Sequence, residues 1–443
     1  ATQQVQLVHV GAGLKQRRVG RLGGEVNAGG SQLEQPNREL LVQPNAQPGN
    51  GAITDNWNAT YQMINRANMV LLKAPDVADD ATLRDRLVGE AKFLRAWAYF
   101  ELVSQWGDVP LYTEPISSPT DFKGKTPAAD IYALVIGDLT DAIQKLPETY
   151  GTADLGRATK GAANALLGRV QMQKGDYGAA KTALLAVYNS GKYSLVPNFS
   201  DNFDGDVREG SAVLTAGHEF NAESIFEVPF VDRGDDNFNW GYIGEGATQP
   251  TSTVRNQEYG PVWGNVIPSD RLLNEFEAGD PRYKFTFYEI GDIILSKGGT
   301  LPGRAIVAAD LNVDPSNKNG VVAKRIFRKY SVLDWGNYSF HPGGLNQRLI
   351  RYADVLLMLA ECEAEVGTPA QAAFYINLVR ARPSVNRPAI TLATKELALK
   401  AVIHERAVEL AIESVNNIDI LITELPPGDP ALEPYLQAGI QVI

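Results

Sequence analysis

RLIRYADVLLMLAECEAEVGTPAQAAFYINLVRAR, Arg348 to Arg382, decides the fold. Tyr352, Val355, Leu359, Cys362 and Val366 recur three and four apart, the spacing that puts side chains on one face of a helix. Gly367 is expected to end that helix in a left-handed conformation, Thr368 to cap the next, and Pro369 to occupy its first position, where a missing N–H is no loss. Ala372, Ile376 and Val379 line one side of the second helix, which stops near Arg382-Pro383. The unit is a hairpin of two helices.

The hairpin is written a second time upstream, in ATKGAANALLGRVQMQKGDYGAAKTALLAVYNSG, with its turn at Gly175-Asp176-Tyr177. Aligning Gly175 with Gly367 pairs Leu167 with Leu359, Gly168 with Ala360, Ala180 with Ala372, Leu184 with Ile376 and Val187 with Val379. Small residues fall where two helices approach closely, and larger apolar ones fill the seam. Both copies resemble the tetratricopeptide pattern, a helix–turn–helix of about 34 residues.

Other helices extend the pattern. Helices start at Asp55, with Trp57, Tyr61, Ile64, Asn68 and Leu71 on one face and Asn68 read as a buried amide serving backbone groups. Residues 79–106 form the longest helix, whose Trp97 and Phe100 are assigned to packing. Thr126-Pro127 opens a helix with Ile131, Val135, Leu139 and Ala142 inward. Another runs from about Thr394 to Glu413. Between the hairpins the composition turns to Gly, Asn, Asp and Pro with aromatics among them. IFEVPF and VVAKRIFRKY read as short strands there, and Ser269 to Phe276 as a short helix. The expected division is an extended segment over 1–52, helical repeats over 53–190 and 347–414, a loop-rich aromatic insertion over 191–346, and a tail over 415–443. The fold class is mainly α, with tetratricopeptide-like helix pairs and an insertion containing short strands.

The totals narrow the function. The chain has 443 residues, 44% of them hydrophobic and 21% charged, as in a soluble globular protein. Its net charge of −11 makes nucleic acid and anionic lipid poor partners. Cys362 is the one cysteine, so no internal disulfide or cysteine metal cluster forms, and a buried small hydrophobe is expected there. No charged-then-apolar leader opens the sequence, which fits a cytosolic protein or a chain begun after cleavage.

Several stretches approach chemical motifs without completing them. Gly11 and Gly13 suit a dinucleotide loop, but Gln16 takes the third glycine position. Asp201, Asp204 and Asp206 offer carboxylates to Ca²⁺ with a spacing that misses the EF-hand, so no cofactor is expected. His404-Glu405 reads as a salt bridge or packing rather than a zinc site, and no catalytic pair is identifiable.

The aromatic loops are the positive signal. A sugar ring lays an apolar C–H face on an indole or phenol, while its hydroxyls want amides and carboxylates at the rim. Trp240 with Tyr242, Tyr259 with Trp263, and Trp335 with Tyr338 sit among Asn237, Asn239, Gln257, Asn265, Asp334 and Asn337. The candidate ligand contacts are therefore Trp240, Tyr242, Tyr259, Trp263, Trp335, Tyr338, Asn239 and Asn337. Phe220 and Phe226 are placed on strands as local core.

GEAKFLRAWAYFELVSQWGDVPLYTEP, RYADVLLMLAECEAEVG, INLVRARP and HERAVELAIES, with WNATYQMINRANMVL, together resemble the SusD/RagB family of outer-membrane nutrient-binding lipoproteins. The resemblance runs from about Trp57 to Ser414. It implies four tetratricopeptide-type helix pairs, attachment to an outer membrane by a lipid, and a position over a SusC-like TonB-dependent transporter. It implies capture of glycans, or in some members peptides, without cleavage. The lipid-bearing cysteine is not in this sequence, and SVNNIDILITEL follows the Glu405-Arg406, Glu409-Leu410 motif where the family carries Arg and Trp. A helical-repeat scaffold for protein partners is the alternative from another class.

Overall fold

A computed structural model describes residues 26–28, 50–76, 80–118, 120–203, 218–230, 259, 266–294, 304–311, 325–330, 345–416, 420–421 and 441–442. Its helices are α1 (Gly51–Lys73), α2 (Ala81–Trp106), α3 (Ala128–Lys145), α4 (Lys160–Gln173), α5 (Tyr177–Asn189), α6 (Asp270–Glu275), α7 (Arg282–Thr286), α8 (Tyr352–Val366), α9 (Pro369–Arg380) and α10 (Lys395–Leu410).

Side-chain caps set most of the starts, each oxygen accepting one of the orphan N–H groups of a first turn. Asn50 accepts from Ile53 N, so α1 begins a turn before the expected Asp55. Asp80 accepts from Leu83 N, Thr159 from Ala162 N, Asp176 from Ala179 N, Thr368 from Gln371 N and Thr394 from Leu397 N. The GDVP stretch after α2 works the same way: Gly107 takes φ +67, and Asp108 then accepts from Ala128 N at the start of α3.

The hairpins are α4–α5 and α8–α9. Gly175 has φ +78, as a left-handed turn residue should, but Gly367 does not: its φ is −115. What crowds position 367 is the Glu363 side chain. A Cβ there would stand 1.8 Å from a Glu363 carboxylate oxygen, which folds back over the turn. Gly168 marks the close approach foreseen between α4 and α5, since its Cβ would lie 2.5 Å from Leu184 Cγ.

Helices that are consecutive in space are not all consecutive in sequence. α1 packs on α2, α2 on α3 and α3 on α4; α8 then packs against α5, α9 and α10. The insertion thus leaves the array between two hairpins that touch. Its ends are closed by an antiparallel strand pair, Ser224–Val228 with Gln347–Arg351, in which Arg348 faces Glu227 and Arg351 faces Ser224. Val26–Ala28, from the N-terminal stretch expected to be extended, pairs with Val266–Pro268.

The main core joins α1–α5, α8–α10 and that strand pair. Ile131, Val135, Leu139 and Ala142 are fully buried, Cys362 likewise, and Trp97 and Phe100 are 5% and 6% exposed. Phe226 meets Phe93 and Trp97 at ring centroids of 4.9 and 5.6 Å, so the strand is stapled to α2. Phe220, expected on a strand, instead sits in the preceding turn with φ +51.

Polar staples run through the frame. Arg95 on α2 donates to both oxygens of Asp138 on α3, at 2.7 and 2.8 Å, and to the Asn68 amide oxygen on α1 at 2.8 Å. Asn68 in turn donates to the Tyr112 and Glu114 carbonyls, the backbone role expected of it. Asp354 on α8 accepts from Arg169 on α4 at 2.5 Å and from Arg406 on α10 at 2.7 Å.

Gly168→Ala should destabilise the protein. Gaining helix propensity is worth about 1 kcal/mol, whereas overpacking this contact costs about 1–3 kcal/mol. The urea midpoint is expected to fall with the slope unchanged.

Candidate functional site

Of the residues singled out for ligand contact, Trp240, Tyr242, Trp263, Trp335, Tyr338, Asn239 and Asn337 lie outside the described residues. Tyr259 is described, and its assignment changes. It is 3% exposed and meets Phe327 edge-on at 6.5 Å, so its ring belongs to an apolar core rather than to a ligand face.

That second core is the insertion's own. Phe199, Phe203, Tyr259, Val266, Leu272, Phe287, Phe327, Tyr330 and Leu345 gather there with Ala407, Ala411 and Ile412 from the end of α10. Phe199 and Phe203 are 5.3 Å apart, Phe203 and Tyr330 5.5 Å, and Phe287 and Phe327 5.6 Å. A loop-rich segment needs such a nucleus because it has few backbone ladders to hold it.

Between this core and the helical frame lies a buried lattice of charges. Glu223, just before the Ser224–Val228 strand, accepts from Arg382 at 2.6 and 3.1 Å and from Arg351. Glu409 on α10 accepts from Arg351 at 3.0 Å, Arg382 at 2.8 Å and Arg282 at 3.2 Å. Arg282, on α7, also donates to Glu405 at 2.5 Å and to Asp280 at 2.7 Å. Arg380 joins Glu405 at 3.0 Å to Glu277 at 2.9 Å. Glu413 accepts from Arg351 at 2.8 Å and Lys329 at 2.9 Å.

With Arg387, which also pairs with Glu277, Arg282, Lys329, Arg351, Arg380 and Arg382 thus stand against Glu223, Glu277, Asp280, Glu405, Glu409 and Glu413. Lys329 additionally donates to the Glu409 and Leu410 carbonyls at the end of α10, and lies 4.8 and 4.6 Å from the Phe199 and Phe203 ring centroids. Cation over ring and cation at a helix C-terminus are both favourable placements. Burial nevertheless pulls its ammonium down to about 8.

The electrostatics follow the geometry. Burial opposes ionisation of Glu223 and Glu409, but the Arg382 and Arg351 guanidinium groups outweigh it and hold both carboxyls below their ordinary value. Glu277, nearer the surface, is held down to about 2, chiefly by the hydrogen bond from Arg380.

The lattice was not assigned from sequence, although its signal was present. Glu405 and Glu409 lie four residues apart on one face of α10, Glu413 follows four residues later just past its end, and Arg351, Arg380 and Arg382 supply cations. What spacing does not give is that Glu223, Arg282 and Lys329, far away in the chain, close the set.

Two expectations concerning metals can be placed. Among the described residues no group of His, Cys, Asp and Glu is arranged to hold a metal ion. Asp201 accepts from Asn198 at 3.3 Å, while Asp204 and Asp206 lie outside the described residues. His404 pairs with Glu275 at 3.0 Å, the salt bridge expected of it. The glycines Gly11 and Gly13 also lie outside the described residues. Among the described residues, no helix is long and apolar enough to cross a membrane.

Comparison with known proteins gives a consistent picture. Residues 222–421 match the SusD family, and residues 5–172 match a family described as starch-binding and associating with the outer membrane. SusD-like protein P25 of Formosa agariphila is 27% identical over 381 residues, 84% of this chain and 70% of that protein. A SusD superfamily protein from Bacteroides vulgatus superposes with a TM-score of 0.70 at 24% identity, over 92% of this chain and 84% of that one. A laminarin-binding SusD-like protein superposes with a TM-score of 0.69 at 24% identity, over 100% and 98%. At that identity the superpositions speak for the fold.

Glu409→Gln would leave Arg282, Arg351 and Arg382 short of an anion in the interior. Breaking a buried pair costs about 3–5 kcal/mol, and urea denaturation should register a loss of that size. Stability should also fall in acid. The carboxyls of Glu223, Glu277 and Glu409 are depressed in the folded state, so their contribution is present above the ordinary value of 4.5 and is lost as pH drops through the depressed values. For Glu277 that window runs from 4.5 to about 2. A series of urea midpoints against pH measures it.

Proposed function

The chain belongs to the SusD/RagB family, and on that footing we propose that it captures oligosaccharides at an outer-membrane surface and passes them to a SusC-like TonB-dependent transporter. The observation that carries this reading is the insertion's setting. A long segment rich in Asn, Asp and aromatics leaves a stiff helical array between adjacent hairpins, and buried charges fasten its base. Loops displayed by a rigid scaffold are where binding residues concentrate. The likeness to a laminarin-binding protein points the same way.

The contacts we assign are the pairs Trp240 with Tyr242 and Trp335 with Tyr338, together with Trp263, Asn239 and Asn337. Indole and phenol faces would take the C–H surfaces of successive sugar rings, and the amides would meet ring hydroxyls. Tyr259, buried against Phe327, is left out of the set. Anchoring to that surface by a lipid is part of the same proposal. No resident cofactor or metal is part of the reading, and neither is nucleic acid.

The reading is one of binding rather than cleavage, and two described carboxyls of the insertion, Glu223 and Glu277, are in keeping with it. A general acid at neutral pH needs a raised carboxyl pKa, and Glu223 and Glu277 are pulled the other way by arginines. Glu361, which burial pushes up, lies on α8 in the helical frame.

Titration calorimetry of the full chain against a panel of oligosaccharides and peptides tests the proposal. Heat is expected with at least one glycan. Trp240→Ala, Trp263→Ala and Trp335→Ala should each weaken that binding about fivefold, as fits a ring contact of about 1 kcal/mol. Heat from peptides alone would overturn the choice of glycan. Unchanged uptake in the triple variant would favour a scaffold that binds only protein.

A further inference from the structure

The Ser269 to Asp280 segment of the insertion is fastened to the helical frame by cations of two kinds, guanidinium and imidazole; the buried Lys329, whose ammonium is pulled down to about 8, fastens a different segment, at the end of α10. The segment Ser269 to Asp280, which contains α6, lies against α10 and α9. Glu277 is gripped by Arg380 at 2.9 Å and by Arg387. Both are guanidinium groups that keep their charge at any ordinary pH. Glu275, at the end of α6, is instead held by His404, whose Nδ1 lies 3.0 Å from its Oε2; the Nε2 of the same ring lies 3.5 Å from Glu277. One imidazole therefore stands between two carboxylates of a single insertion segment.

We propose that His404 is a proton-operated latch, holding the Ser269 to Asp280 segment of the insertion on α10 when charged and loosening it when neutral.

A neutral imidazole has one N–H, so it cannot donate to Glu275 and Glu277 together; the imidazolium has two and adds the attraction of its charge. The surrounding groups agree. From α6 the ring faces Glu275, with Arg271 as a second cation acting on that carboxylate, and just beyond α6 it faces Glu277. From α9 and the loop after it come Arg380 and Arg387, both committed to Glu277. On α10 itself Glu405 adds negative potential but is bound by Arg282 and Arg380, while Lys400 is paired with Glu396 at 2.8 Å. From the α7 side, Asp280 is taken by Arg282.

The sign is fixed by this environment. The hydrogen bond to Glu275 raises the His404 pKa above 6.5 against the opposing effect of burial. The latch therefore contributes fully below 6.5 and is lost as pH rises through the raised value. The Arg380 and Arg387 anchor persists throughout, so the segment loosens without unfolding the frame.

Amide hydrogen exchange of the full chain, corrected for intrinsic exchange rates, tests this over residues 270–280. Between about pH 8.5 and about pH 5.5 the wild type should gain roughly two- to fivefold protection there, as expected for a half-exposed ion pair. His404→Gln should show no such gain, and Glu275→Gln should lose it too. Arg387→Gln should lower protection at both pH values alike while keeping the gain. An equal gain in wild type and His404→Gln, or its survival in Glu275→Gln, overturns the latch. The readout needs no ligand, so it stands or falls apart from the glycan assignment.

Discussion

Two buried carboxylates, Glu223 and Glu409, share the guanidinium groups of Arg351 and Arg382 and so join the described base of the insertion to the helical frame. Bringing such groups out of water is expensive, and a buried ion pair is weak evidence for net stability. Its use here is registry. Each carboxylate accepts from several fixed donors, so the entering strand, the leaving strand and α10 can meet in one arrangement only. An apolar patch of equal size would tolerate sliding; a lattice of matched charges does not, because any shift strands a charge in the interior.

The same device appears at smaller scale along the helical array. Arg95 joins α1, α2 and α3 through Asn68 and Asp138, and Arg169 and Arg406 meet on Asp354 to join α4, α8 and α10. Apolar side chains supply the bulk of the core, whereas these bidentate and shared contacts fix helix order. A stiff frame matters for a binding protein, because loops held in place before the ligand arrives lose less freedom on binding.

The frame was legible because helices report themselves locally. Three- and four-residue spacing, the cap at Thr368 and the repeated hairpin are all features of short range, and helical periodicity carries them in plain sequence. The errors had physical causes as well. Gly367 was assigned a left-handed turn because glycine usually serves that purpose after a helix. Here its φ is −115, and the space beside it is taken by the Glu363 carboxylate. Tyr259 sits in a stretch of Gly, Asn and Trp that looks like a ligand loop, but such a segment must also build a nucleus, and the ring went there.

Sequence alone therefore determined the helix pairs, their repetition, the place where the array is interrupted and the family resemblance, since each rests on neighbours along the chain. Only tertiary structure decided what the charged motifs were for. Glu405, Glu409 and Glu413 recur every four residues, yet nothing in their spacing says that Arg282 and Lys329 come to meet them from the insertion. Charge pairing between distant segments is a property of the folded shape, and spacing along the chain carries no record of it.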